Sequence, residues 1–335
     1  MARYTNDQNA VIGIHESGTY AGSIIGSTFW IGQVQSHDIT DNEGIIDQRY
    51  LGTASRNIAQ FIQGPRDVNG TLVYNPSDMR LIFWSIGSTR SVSGTSSTFA
   101  VQEIENNVRQ SPYTSGALNP PISFTIEDSK TTAGTGQNFI RRIRGVVPNV
   151  TTLKASQGDK IEVNLEYLGQ TLEHASGANT TFIALTRTPY LWNHTSMTLA
   201  GSSVDTAKEV EFVIDNSREG PHYLNGSRDI SIPLNGNRNY TFNLTLDWEG
   251  IYAERLYRNF YKGGSTFNMT LDMNADNSAG SQHTTFVLSG CIIEPTPGIP
   301  SPFEGISEAT LTIKPTTVTG SEWNSFLSGG IYGPY

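Results

Sequence analysis

Carboxylates at alternate positions are the residues of this chain best placed to do chemistry. Glu162 and Glu166, Glu209 and Glu211, Asp247 and Glu308 all stand opposite apolar residues in alternating stretches. Two carboxylates flanking a bond are the apparatus of glycoside hydrolysis, one protonating the leaving oxygen while the other activates water or attacks. The spacing argues against that use. Glu162 and Glu166 on one extended strand stand about 13 Å apart, wider than either glycosidase geometry unless a second strand supplies a partner. Two other uses remain open. The acids are the solvated polar face of a sheet, or, if the strands continue from chain to chain around a ring, they line a channel with negative charge. Such a wall repels phosphates and lets DNA slide without adhering.

Other reactive residues are scattered. The six histidines (15, 37, 174, 194, 222 and 283) include no pair at metal-ligand spacing. Cys291 follows a glycine in a strand-like stretch and has no adjacent His or Asn motif, so it reads as an inert buried thiol. The glycines at 13, 18, 22 and 26 are followed by no Lys-Ser/Thr, and no dinucleotide fingerprint occurs. No catalytic residue, metal or cofactor is expected. The one basic run, Arg141, Arg142 and Arg144, lies on a strand. It is either a solvated strand face or a subunit contact against acidic neighbours.

The elements that must carry these residues are mostly strands. Apolar residues make up 36% and charged residues 16% of the 335, with 33 glycines, a profile of strands and turns rather than solvated helices. The net charge of −9 argues against a general nucleic-acid-binding surface. A single cysteine excludes an internal disulfide, no apolar run is long enough to span a membrane, and the N-terminus carries no secretion-like stretch. Residues 159–168 and 239–248 alternate cleanly. Residues 28–39 read as one strand ending at a turn over Asp41–Gly44, and 68–74 as a short strand. Residues 76–86 read as a helix capped by Ser77 or Asp78, and 249–261 as a second helix. Residues 89–137 read as a hairpin or long excursion.

The chain also states one pattern twice. Ser55-Arg56 and Gly64-Pro-Arg66 recur as Ser227-Arg228 and Gly236-Asn-Arg238, at a shared offset of 172 (238 − 66). Asp215-Asn-Ser matches Asp41-Asn-Glu, and the strand ending at Gly290 parallels the one ending at Gly145. A fixed offset of about half the chain implies a duplicated domain. The expected fold is mainly β, with two tandem β-sandwich or barrel domains, each with one flanking α-helix and long hairpin or loop extensions. The boundaries are 1–175 (with the excursion at 89–137), 176–318, and a C-terminal extension at 319–335.

Glu16-Ser-Gly-Thr-Tyr-Ala-Gly, leading to Thr28-Phe-Trp-Ile-Gly-Gln-Val, resembles the opening of the tail tube proteins of long-tailed viruses. The order strand, Asn turn, Gly-x-Arg, Gly-x-Arg strand, helix is similar to that family in both halves. The resemblance implies tail-tube-like domains, six to a ring, with long hairpins that mediate stacking into a hollow tube. Two domains per chain would make three chains a pseudo-hexameric ring. It further implies a virion structural protein with no enzymatic activity, assembled in the host cytoplasm and located in the virion tail. Its partners would be itself and the tail terminator, tape measure and baseplate or tip proteins; DNA passes without tight binding, and no membrane is involved. The six carboxylates are then lumen-lining candidates, and Arg141, Arg142 and Arg144 inter-subunit contact candidates. Residues 89–137 and the tail are candidates for inter-ring contacts. The rival reading is a carbohydrate-binding or adhesin-type β-sandwich, with Trp30, Trp192, Trp323 and Tyr335 as stacking platforms.

Overall fold

The alternating stretches become a mainly antiparallel β structure. A computed structural model describes residues 9–16, 20–48, 58, 60–86, 88–91, 98–102, 123–131, 138–175, 188–248, 256–275, 282–294 and 308–324. The first half contains β1 (Asn9–Glu16), β2 (Ile24–Trp30), β3 (Gln33–Gln48), β4 (Gln60–Asn75), α1 (Arg80–Ile86), β5 (Ser88–Ser91), β6 (Thr98–Gln102), β7 (Phe124–Thr131), β8 (Asn138–Ser156), β9 (Glu162–Gly169) and β10 (Thr171–Ala175). The second contains β11 (Thr195–Leu199), β12 (Ser202–Ser203), β13 (Ala207–Asp215), β14 (Asn239–Asp247), a π-helical turn (Leu256–Lys262), β15 (Phe267–Asn274), β16 (Gln282–Ile293), β17 (Glu308–Lys314) and β18 (Thr317–Asn324).

Among the described residues, eight strands form an inner sheet in the order β3-β4-β9-β8-β13-β14-β17-β16. Its central seam joins the halves, with Val150 to Ser156 of β8 paired to Asp215 to Glu209 of β13. Two outer sheets cover it, β2-β1-β7-β8-β10 and β12-β11-β15-β16-β18-β6-β5. The strand order of the first half therefore recurs in the second, in both layers. Among the described residues, only β8 and β16 run through two layers. Each bends at a left-handed glycine, Gly145 (φ 65) and Gly290 (φ 61), a conformation open to glycine at little cost.

The ladders fix the correspondence. Leu72 faces His37 and Leu165, while Leu244 faces Val210 and Leu311, so β4 and β14 match at the offset of 172 that the paired arginines show. On β3 and β13 the offset is 173. Asn216 thus corresponds to Glu43, and the match of Asp215-Asn-Ser to Asp41-Asn-Glu is one residue out of register.

Other expectations shift for local reasons. The strand read over 28–39 breaks at Ile31–Gly32 and resumes as β3. The turn read at Asp41–Gly44 is strand, bulged between Glu43 and Ile45. β4 starts eight residues before the expected Val68 (68 − 60). It tolerates Pro65 because its second neighbour, β9, pairs only from Val68 onward. α1 begins four residues later than read (80 − 76), and all its residues are buried. The second helix is observed as the turn Leu256–Lys262; the rest of it lies outside the described residues. The excursion contributes β5, β6 and β7. Of the segment read as a C-terminal extension, 319–324 belongs to β18, which pairs with both β16 and β6.

The core between the layers crosses from half to half. Phe83 of α1 packs on Phe286 of β16 at 5.4 Å between ring centroids, and Trp84 on Phe29 and Phe124 at 5.3 and 5.2 Å. The helix start is held from the far end of the chain. Met79 donates its backbone N–H to both carboxylate oxygens of Glu322, each at 3.4 Å, and Glu322 is fully buried.

Candidate functional site

The inner sheet turns its apolar residues toward the core, and alternation sends their neighbours to the opposite face. Val163, Leu165, Val210, Phe212, Leu246 and Ala309 are all buried. Glu162, Glu166, Glu209, Glu211, Asp247 and Glu308 intervene or flank, so the six candidate carboxylates share one face across four strands of both halves. Two lysines stand among them, leaving a net −4 over these eight groups (2 − 6). Lys154 on β8 lies in register with Glu162 on one side and Glu211 on the other, and its ammonium reaches Glu209 at 2.9 Å. The hydrogen bond and charge of Glu209, then the charges of Glu211 and Glu162, raise the Lys154 pKa. Lys208 is held by Asp247 at 2.7 Å and by Glu308. Each lysine is thus matched to carboxylates of its own chain, which lowers its availability to an outside anion. Sequence alternation located the acids; the clamping of the lysines needs the ladder register.

Asp247 and Glu308 face each other across β14 and β17, with Lys208 bound between them. Glu166 lies opposite Val150 on one side and Thr71 on the other, so neither adjoining strand places a carboxylate directly across from it. Among the described residues no His/Cys/Asp/Glu group could hold a metal. Cys291 is buried, and burial lifts its thiol to about 11, an unreactive state at neutral pH.

The seam between the halves is closed at its end by side chains. Arg238 donates Nε–H to Asn216 Oδ1 at 2.6 Å and Nη1–H to the Ile86 carbonyl at the end of α1. Asn216 donates to the Ser85 and Asn149 carbonyls, at 3.1 and 3.3 Å. Arg218, buried beside them, donates to the Pro148 carbonyl and to Asn235 Oδ1. Burial first, and the nearby charge of Arg238 second, lower the Arg218 pKa to about 9.

Among the described residues, pairing thins out toward both ends of the sheet. Among the described residues β3 pairs only with β4, and β17 bonds β16 only near Ile313 and Lys314. β3 and β4 also run on together as an arm carrying Ile45, Ile46 and Phe61, which are 68%, 52% and 64% exposed. The second-half loop braces the arm's root: Arg66 donates its backbone N–H to the Arg228 carbonyl, and Arg228 donates to the Gly64 carbonyl and Gln63.

The basic run finds its acidic neighbours within the chain. Arg141 pairs with Asp128, Arg142 with Glu127 at 2.7 Å and Arg144 with Glu173 at 3.2 Å. Of the aromatics in the carbohydrate reading, Trp30 lies in β2 and Trp323 in β18, and Trp192 in a helical turn, 43% exposed. Tyr335 lies outside the described residues. Sequence reasoning missed Glu16 as a hub, although it opens the Glu-Ser-Gly-Thr-Tyr stretch. Its buried carboxylate accepts hydrogen bonds from Ser123 (2.6 Å), Thr125 (2.7 Å) and the Gly145 N–H (2.8 Å), tying β1 to the bend of β8.

Comparison with individually curated proteins yields no match. A family model described as phage tail tube protein matches residues 9–320. That span takes in both halves, the seam, the acidic face and half of β18; the chain belongs to the phage tail tube protein family.

Proposed function

We propose that the chain closes, with two further copies, into a ring of six similar half-chains, and that such rings stack into the hollow tube through which the genome leaves the virion. The family implies a virion tail component that self-associates into a tube; ring size, lumen and DNA passage are our reading. One observation carries it: a single inner sheet runs through both halves, and among the described residues β3 at one end pairs only with β4, while at the other end β17 meets the terminal β16 at two positions alone. Joining those edges between copies removes them, and a closed barrel is the arrangement that leaves no edge. The face away from the core then lines the lumen, with Glu162, Glu166, Glu209, Glu211, Asp247 and Glu308 repelling phosphate. The apolar β3–β4 arm projects toward the next ring, where its exposed Ile45, Ile46 and Phe61 would be covered. Terminator, tape measure and baseplate or tip proteins would meet the tube's ends and interior, assembly occurring in the host cytoplasm.

Electron microscopy of the purified chain over a concentration series tests this reading. Hollow tubes or rings whose class averages show three-fold symmetry support it; a chain that remains a compact monomer at every concentration rejects it.

A further inference from the structure

Arg66 and Arg238 occupy corresponding places in the two halves, yet they make different hydrogen bonds, and the difference at Nη1 matters most. Arg238 uses Nη1 to reach the last carbonyl of α1 across the internal seam. Arg66 donates Nε–H and Nη2–H to the two oxygens of Asp41, at 2.8 and 2.7 Å, and Nη2–H also to the Leu172 carbonyl at 3.0 Å. Its Nη1 has no acceptor among the described residues. The bidentate pair fixes the guanidinium plane, so Nη1 is oriented before any partner arrives. Asp41 and Arg66 strengthen each other's charge: their hydrogen bond lowers the Asp41 pKa and raises that of Arg66.

Among the described residues the outer side of the strand beside Arg66 is likewise unpaired. Ser36 to Asn42 of β3 correspond to Glu209 to Asp215 of β13, the stretch that bonds β8 in the internal seam. α1 lies against β8 as the turn Leu256–Lys262 lies against β16, and β8 and β16 are themselves counterparts. We infer that Arg66, with the backbone of Ser36 to Asn42, is the docking surface for a second copy of this chain, and that Nη1 is accepted by the C-terminal carbonyls of that copy's turn Leu256–Lys262. Carbonyls at a helical C-terminus carry partial negative charge and favour a cation. The inference rests on the ring reading and specifies which contact closes the ring.

Arg66→Lys tests it, because lysine keeps the charge beside Asp41 and loses the planar fork. The monomer should remain folded, with a small loss of stability from the Asp41 and Leu172 hydrogen bonds, while the concentration needed to form rings, read by sedimentation and microscopy, rises at least about tenfold. Hydrogen exchange on the wild type gives a second readout independent of any variant: peptides covering 34–43 and 256–265 should gain protection on assembly. If wild-type rings form without protection at both segments, or if Arg66→Lys forms them at the wild-type concentration, the inference fails and the ring reading stands. A wild type that forms no rings overturns both.

Discussion

Gly145 and Gly290 hold the same left-handed backbone at the same point in the two halves, where the chain leaves an outer sheet for the inner one. Their surroundings correspond as well. Gln170 donates its N–H to the Arg144 carbonyl at 2.8 Å, and Thr316 to the Ser289 carbonyl at 3.0 Å. The bend is what lets one strand belong to both layers, and it depends on the absence of a side chain.

Gly145→Ala is therefore expected to destabilise more than a conformational penalty of about 1–2 kcal/mol alone. Its new Cβ would lie 2.9 Å from the Cβ atoms of Ala21 and Gln170. In Gly290→Ala the Cβ meets the Thr316 hydroxyl. Gly158 also has positive φ but nothing within 4 Å, so Gly158→Ala should show the penalty alone. Urea unfolding of the three variants checks the ranking; equal losses would refute the crowding argument.

Glu322→Ala removes the acceptor of the Met79 N–H and leaves a cavity under α1. A loss of about 2–4 kcal/mol is expected. Because Glu322 is carried on β18 and α1 belongs to the first half, fluorescence of Trp84 and far-UV circular dichroism should shift to the same lower midpoint. Separate transitions for the two probes would show that the halves do not share one core.

Two buried histidines give the fold a pH dependence. Burial, with Arg80 adding to it, lowers His15 to about 4. Burial also lowers His37 to about 4, with Asp128 partly opposing. Both are neutral in the folded chain, while in the unfolded chain they titrate near 6.5. Between pH 6.5 and 4 the unfolded state takes up the protons, so stability is complete above 6.5 and declines as pH falls, by about 1.4 kcal/mol per unit for each group. Urea midpoints at pH 7.5, 6.5 and 5.5 measure the slope below 6.5; in His37→Gln it should be about halved.

Reversing charge on the acidic face should create the affinity that the face now resists. A triple variant Glu162→Lys, Glu166→Lys, Glu211→Lys is expected to retain duplex DNA at low salt and release it as salt rises, whereas the wild type retains none. Fluorescence anisotropy over a salt series reads both. Unchanged DNA binding in the variant would remove the electrostatic reason for placing this face on the lumen.

The features legible in the sequence were those repeated along a strand. Alternation in Glu162–Gly169 and Asn239–Asp247 gave the strands and the shared face of the acids, and the paired arginines gave the offset that the ladders keep. Register was less accessible: the repeated Asp-Asn pair aligns residues by identity, while the β3 and β13 ladders align them by which side chain reaches the core, one position away. Glu16, Glu322 and Arg218 were invisible as hubs, since their partners lie 107–129, 243 and 17–70 positions away. A buried carboxylate reads, in sequence, like any exposed one.

The seam between β8 and β13, formed within one chain, bears on how assembly responds to dilution. On the three-chain reading, every second lateral joint is present in each chain before chains meet, at an effective concentration that bulk dilution cannot lower. Closing a ring then depends on the third power of chain concentration, where six separate half-chains would need the sixth. Duplication of this kind makes nucleation far less sensitive to how much protein an infected cell has made.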